Sequence, residues 1–98
     1  MPNSLLPDAA IAAHLADALP AWRRAGGCIT RLRRTANWTE SMRLANAIST
    51  LAEAADHHPD LAISYASLTI TLTTHDAGGI TAADLDLATR IEPLLATP

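Results

Sequence analysis

The run Leu68-Thr69-Ile70-Thr71-Leu72-Thr73 constrains this chain more than any other stretch. Apolar and hydroxyl residues alternate strictly along it, the period of a strand with one buried face. Leu68, Ile70 and Leu72 turn to one side and the threonines to the other. Such a strand needs partners. Leu61 to Ile63 reads as one, Tyr65-Ala66-Ser67 as the turn, and Leu68 to Thr74 as the return. Upstream, Trp22 to Arg34 reads as two short strands around a Gly26-Gly27 turn. A hairpin return of this kind brings His75, just past the alternating run, next to residues that precede the hairpin.

Three amphipathic segments are available to cover the sheet. Asp8 is a good N-cap for a helix with Ile11, Leu15, Ala18 and Leu19 at helical spacing, and Pro20 stops it. Asn37 with Glu40 forms a capping-box pattern for a second helix. There Trp38, Met42, Ala45, Ile48, Ala52 and Ala55 predict one apolar stripe. This helix ends at Asp56-His57, because Pro59 pushes His58 out of helical dihedrals. Thr81 caps a third helix, with Asp84 in its first turn and Leu87, Ala88, Ile91 and Leu95 as its buried stripe. Asp86 and Arg90 are spaced for an i,i+4 pair. Pro93 predicts a late kink or fraying. The order α-β-β-α-β-β-α gives an α+β, two-layer sandwich: a four-stranded antiparallel sheet with three helices on one face. The strand order stays open.

Ninety-eight residues suit a single domain, 1–98, with one core. Aromatics are only 3%, namely Trp22, Trp38 and Tyr65, so the core must be aliphatic. Trp22 anchors core packing on this reading. Net charge is −3, and all seven basic residues are arginine. Five of them lie between Arg23 and Arg34, a local cluster that reads as a solvated edge strand. The acidic balance argues against a nucleic-acid partner. Cys28 is alone and forms no internal disulfide. No run approaches a membrane span, and the N-terminus lacks a secretory pattern. The expectation is a cytoplasmic protein with no membrane partner.

Three of the four histidines fall in the second half: His57 and His58 in Asp56-His57-His58-Pro59, and His75 in Thr73-Thr74-His75-Asp76. Histidine both gives and takes protons near neutral pH. Each alone reads more simply as structure, His58 as a helix cap and His75 as a strand-end residue bonded to Asp76. Together they predict an acid/base site. A metal is not expected, since adjacent histidines point in different directions and H-x-x-x-H or H-x-H spacing is missing. His14, within the first helix, has nothing nearby to complete a site. No Ser-His-Asp, G-x-S-x-G or phosphate-loop pattern appears.

D-H-H-P, a Tyr-containing hairpin, and then T-x-T-x-T-T-H-D-A-G-G-I-T-x-x-D-x-x-L-A together resemble the pterin-4a-carbinolamine dehydratase family. The match is densest from Glu53 to Ile91, with a looser one upstream through Trp22 and Trp38. Arg33, Thr35 and Leu61 stand where relatives usually carry aromatics. The resemblance implies dehydration of 4a-hydroxytetrahydrobiopterin to quinonoid dihydropterin. The enzyme would be a hydro-lyase without a cofactor, recycling the pterin of aromatic amino acid hydroxylases. By the same carry-over, His57 and His75 are the acid/base candidates, and His58 orients the ring. Asp56 fixes a histidine or a pterin N–H, and Pro59, Thr73, Thr74 and Asp76 complete the substrate-binding set. Trp22 could border the pocket. The implied partners are the pterin and further copies of the chain, as a homodimer or homotetramer, with a functional link to a hydroxylase. The alternative is a non-enzymatic binding or assembly protein on the same fold, either a transcription-factor dimerisation cofactor or an assembly factor for a carbon-fixing enzyme.

Overall fold

The structure, a computed structural model, describes residues 4–96. Three helices and four strands follow in the expected order: α1 (Asp8–Ala18), β1 (Arg23–Ala25), β2 (Cys28–Arg34), α2 (Trp38–Ala55), β3 (Asp60–Ser64), β4 (Ser67–Leu72) and α3 (Ala82–Ala96). A 3-10 turn, His75–Ala77, stands between β4 and α3. All strand pairs are antiparallel, in the spatial order β1-β2-β4-β3.

The alternating run does what its period requires. Leu68, Ile70 and Leu72 are fully buried. Thr69 and Thr71, pointing the other way, are half-buried on the open face. Ile29 of β2 joins the buried side, where it meets Ile11, Leu44, Ile48, Leu87 and Ile91 of the helices. Because side chains alternate across a strand, Arg31 and Arg33 also face the helices. Of the arginine cluster, Arg31, Arg33 and Arg34 are therefore not on an edge strand, because β2 lies inside the sheet between β1 and β4; Arg23 and Arg24 stand on the edge strand β1. Arg31 makes a two-pronged contact with Glu92 of α3, at 3.1 and 3.2 Å. Trp22 is buried in the core and donates its indole N–H to the same carboxylate at 2.8 Å, so it anchors packing and does not border the recess described below. Arg33 donates to the Leu95 carbonyl at 2.7 Å and lies 3.7 Å from Glu40. A long side chain can lie along apolar surface while its head finds polar partners, so an arginine is accommodated at this position.

Several local expectations are corrected. Pro7 is the N-cap of α1, without a side-chain bond, and Asp8 is the first helical residue. The Asp8 carboxylate takes Arg24 at 2.7 Å instead. On α2, Asn37 Oδ1 accepts from Glu40 N at 2.9 Å as expected, but the Glu40 carboxylate reaches back to Ala36 N, at 2.8 Å. The buried stripe of α2 is Ser41, Leu44, Ala45, Ile48 and Ala52, rotated from the expected one. Trp38 is 49% exposed. Ser41 can enter that stripe because its hydroxyl is paired with Thr35, at 2.6 Å. Pro93 sits inside α3, which runs on to Ala96. Among the described residues, no ion pair joins Asp86 and Arg90.

Candidate active site

The site is built where α2 ends, β4 ends and α3 begins. Asp56 closes α2 in the left-handed conformation, φ 49°, with its N–H bonded to the Ala52 and Glu53 carbonyls. His57 N also returns to Ala52 O, at 3.1 Å. A left-handed residue at this place turns the chain sharply and satisfies the last carbonyls, and a short polar side chain tolerates the dihedral. The turn carries His57 off the end of α2 toward the start of α3. On the other side, β4 ends at Leu72, and the chain folds into the 3-10 turn closed by Gly78 at φ 79°. His75 therefore opens a turn and does not end a strand.

Between them lies a recess of about 350 Å³, lined by Asp56, His57, His58, Thr73, Thr74, His75 and Asp76. All three histidines reach it. Of the expected site residues, Pro59 alone stays out, standing at the entry to β3.

His57 is the fixed member. Its Nε2 lies 2.6 Å from Asp84 Oδ1, and its side chain is 17% exposed. Asp84 itself is fully buried. Its other oxygen accepts from Thr74 Oγ1 at 2.8 Å and from Thr81 N at 2.9 Å. A hydroxyl has one proton to give. Thr74 gives its proton to Asp84, so Thr81 Oγ1 donates to Thr74 across their 2.8 Å contact. No polar side-chain atom in this buried cluster lacks a partner. With the Asp84 carboxylate as acceptor, the proton sits on His57 Nε2. Nδ1 is then the nitrogen left free, the reverse of the hydrolase triad, in which Nδ1–H faces the carboxylate and Nε2 is the free nitrogen.

In the sequence Asp84 reads only as an acidic residue in the first turn of the third helix, behind the Thr81 cap. In the structure it also caps, and the same carboxylate orients His57. Of the two roles expected of Asp56, that of fixing a histidine falls to Asp84: among the described residues, no hydrogen bond joins Asp56 to a histidine. Thr74 likewise spends its hydroxyl inside the network. Thr73 donates to Gly27 O at 2.7 Å, tying the β1–β2 turn to the rim. His58 pairs with Glu53, one turn back on α2, at an exposed position. His75 is exposed and makes no side-chain hydrogen bond among the described residues, Asp76 included. No group of three or more His, Cys, Asp or Glu among the described residues is arranged to hold a metal ion.

The family model for pterin 4 alpha carbinolamine dehydratase matches residues 4–94. The chain belongs to this family. A protein of Nocardia farcinica, provisionally named pterin-4-alpha-carbinolamine dehydratase, is 42% identical over 94 residues, covering 96% of this chain and 98% of its own. One of Picosynechococcus with the same provisional name is 44% identical over 89 residues, covering 91% and 96%. Among solved structures, a transcriptional coactivator/pterin dehydratase from Brucella melitensis superposes with a TM-score of 0.86 at 25% identity, over 93% of this chain and 98% of that one. A pterin dehydratase-like protein described as a RuBisCO assembly factor in the alpha-carboxysome shares the fold, with a TM-score of 0.65 at 18% identity over 80% and 93%. For a pterin dehydratase family member, the histidine recess is the natural candidate site. No helix among the described residues is long and apolar enough to cross a membrane.

Proposed function

We propose that this chain dehydrates a 4a-hydroxytetrahydropterin to the quinonoid dihydropterin, with His57 and His75 as the proton carriers. The observation that supports this reading is the convergence of His57, His58 and His75 on one recess, with the buried Asp84 behind His57. The reaction is an elimination. The C4a–O bond breaks, the hydroxyl takes a proton and leaves as water, and a ring N–H gives up its proton. One group must act as acid and one as base. His57, its tautomer set by Asp84, offers Nδ1. His75, exposed and unpaired, offers an adaptable second group across the recess. His58, held by Glu53 at the rim, orients the ring. The chemistry needs neither a cofactor nor a metal, because proton gain by the leaving hydroxyl and proton loss from the ring N–H drive the C4a–O cleavage with no change of oxidation state. Rapid mixing of the protein with freshly generated 4a-hydroxytetrahydropterin tests the proposal. Acceleration of quinonoid dihydropterin formation over buffer is the expected result, and a rate equal to buffer refutes it.

The biological setting that fits this reading is cytoplasmic recycling of the pterin used by an aromatic amino acid hydroxylase. A second reading, a binding or assembly role on the same fold, is favoured by the coactivator and assembly-factor descriptions of the two structural neighbours. A fold hosts more than one function. The rapid-mixing experiment separates the two, since a pure binding protein has no use for the histidine set. The sheet ends in two short edge strands, β1 and β3, and a domain of this size buries limited surface by itself. A symmetric homo-oligomer, dimer or tetramer, is the expected state. Light scattering at micromolar concentration checks it, and a monomer alone would contradict it.

A further inference from the structure

Behind His57, away from the histidine recess, lies a second one of about 320 Å³, between the C-terminal end of α2 and the first half of α3. It is open because Ala54, Ala55 and Ala83 stand where longer side chains would fill the space between the two helices. Leu87, buried in the core, supplies the rest of an apolar floor. The rim carries two charges of opposite sign. Asp86 and Arg90 are both exposed, one turn apart on the same side of α3. Neither has an ion-pair partner among the described residues. His57 lines this recess as well as the first.

We propose that this second recess binds a free α-amino acid with an apolar side chain. Arg90 takes its carboxylate, Asp86 its ammonium group, and the alanine and Leu87 floor its side chain. The charge pattern selects this class. A simple anion drawn to Arg90 meets repulsion from Asp86, and a simple cation meets the reverse. A zwitterion satisfies both, and side chains four residues apart on a helix are close enough to converge on adjacent charges. The volume lies at the low end of small-molecule sites, which suits a single amino acid. Because His57 lines both recesses, occupancy of this one would be felt in the histidine recess as well.

The proposal does not depend on the dehydratase reading, because the test reads binding directly. Amide and imidazole NMR resonances of the full chain are followed during titration with L-leucine and L-phenylalanine. In parallel runs, isopentylamine lacks the carboxylate and 4-methylpentanoate lacks the ammonium group. Saturable shifts confined to the end of α2, the first half of α3 and the His57 ring are expected with the amino acids. Each analogue should bind at least about tenfold more weakly, a difference of about 1.4 kcal/mol. Arg90→Gln and Asp86→Asn should each weaken binding by a similar factor. The charge swap Asp86→Arg with Arg90→Asp should restore part of it. No saturable shift up to about 10 mM, a Kd weaker than the millimolar range, overturns the proposal. So do analogues that bind as well as the amino acids, or single variants that bind like the parent chain.

Discussion

Asp84 Oδ1 lies 2.6 Å from His57 Nε2, although the two residues are 27 positions apart, one just past the end of α2 and the other in the first turn of α3. The carboxylate is fully buried, and its other oxygen is held by Thr74 and by the Thr81 N–H. One side chain thus caps α3, closes a buried polar cluster and presents His57 to the recess.

Replacing Asp84 with Asn tests that relationship. The Asn oxygen can still accept from Thr74 and Thr81, which leaves its NH₂ facing His57. Nε2 must then accept, and the imidazole proton moves to Nδ1, the nitrogen needed for transfer. A kcat loss on the order of 10²-fold is expected, with ¹⁵N imidazole shifts reporting the tautomer change. Asp84→Ala should instead destabilise by about 1–3 kcal/mol, since Thr74 and the Thr81 N–H lose a buried acceptor. An Asn variant with parental kcat and an unchanged tautomer would remove the positioning role.

His57→Ala and His75→Ala should each lower kcat, at the low end of the roughly 10²–10⁴-fold range for general acid–base groups, because this substrate also dehydrates unaided. His58→Ala should act mainly on KM, as an orienting contact serves ground and transition states alike. The double variant of His57 and His75 should lose less than the product of the single losses if the two work as a unit. The pH profile of kcat/KM should be bell-shaped, with limbs that belong to the pair. Steady-state kinetics on variants shown by circular dichroism to be folded decides this. Unchanged kcat in both single variants would leave the binding role in front.

Exhaustive chelation should leave activity intact. Metal ligands must be deprotonated and locked, whereas these histidines have to gain and lose protons. Asp84 and Glu53 already occupy a nitrogen of His57 and of His58. Activity lost with chelator and regained with zinc would overturn the acid/base assignment.

Asn37→Ala should cost about 1 kcal/mol by removing the acceptor of Glu40 N. For a chain of this size that corresponds to a drop of about 4–8 °C in Tm, measured by thermal unfolding. The site lies at the far end of α2, so kcat should hold. A drop in kcat at a temperature where the variant is folded would mean that the cap reaches the site through the helix.

The layers of the fold were legible in the chain because their signals are local. Strict alternation from Leu68 to Thr73 commits a segment to a half-buried strand, and capping chemistry at Asn37 and Thr81 starts helices wherever they sit. The histidine set was legible as a motif. Tertiary structure decided what depends on neighbours distant in sequence. It placed β2 inside the sheet, so that Arg31 and Arg33 face the helices and meet Glu92, Glu40 and the Leu95 carbonyl. It rotated α2 until Ser41 was inside and Trp38 outside, because Thr35 was there to pair the hydroxyl. It also assigned the carboxylate behind His57. In one dimension Asp56, adjacent to His57, is the evident partner, and Asp84 reads only as a first-turn acid of the third helix. The left-handed turn at Asp56 sends that side chain toward solvent and swings His57 across to α3, where Asp84 waits in a buried cluster that only the packed helices create.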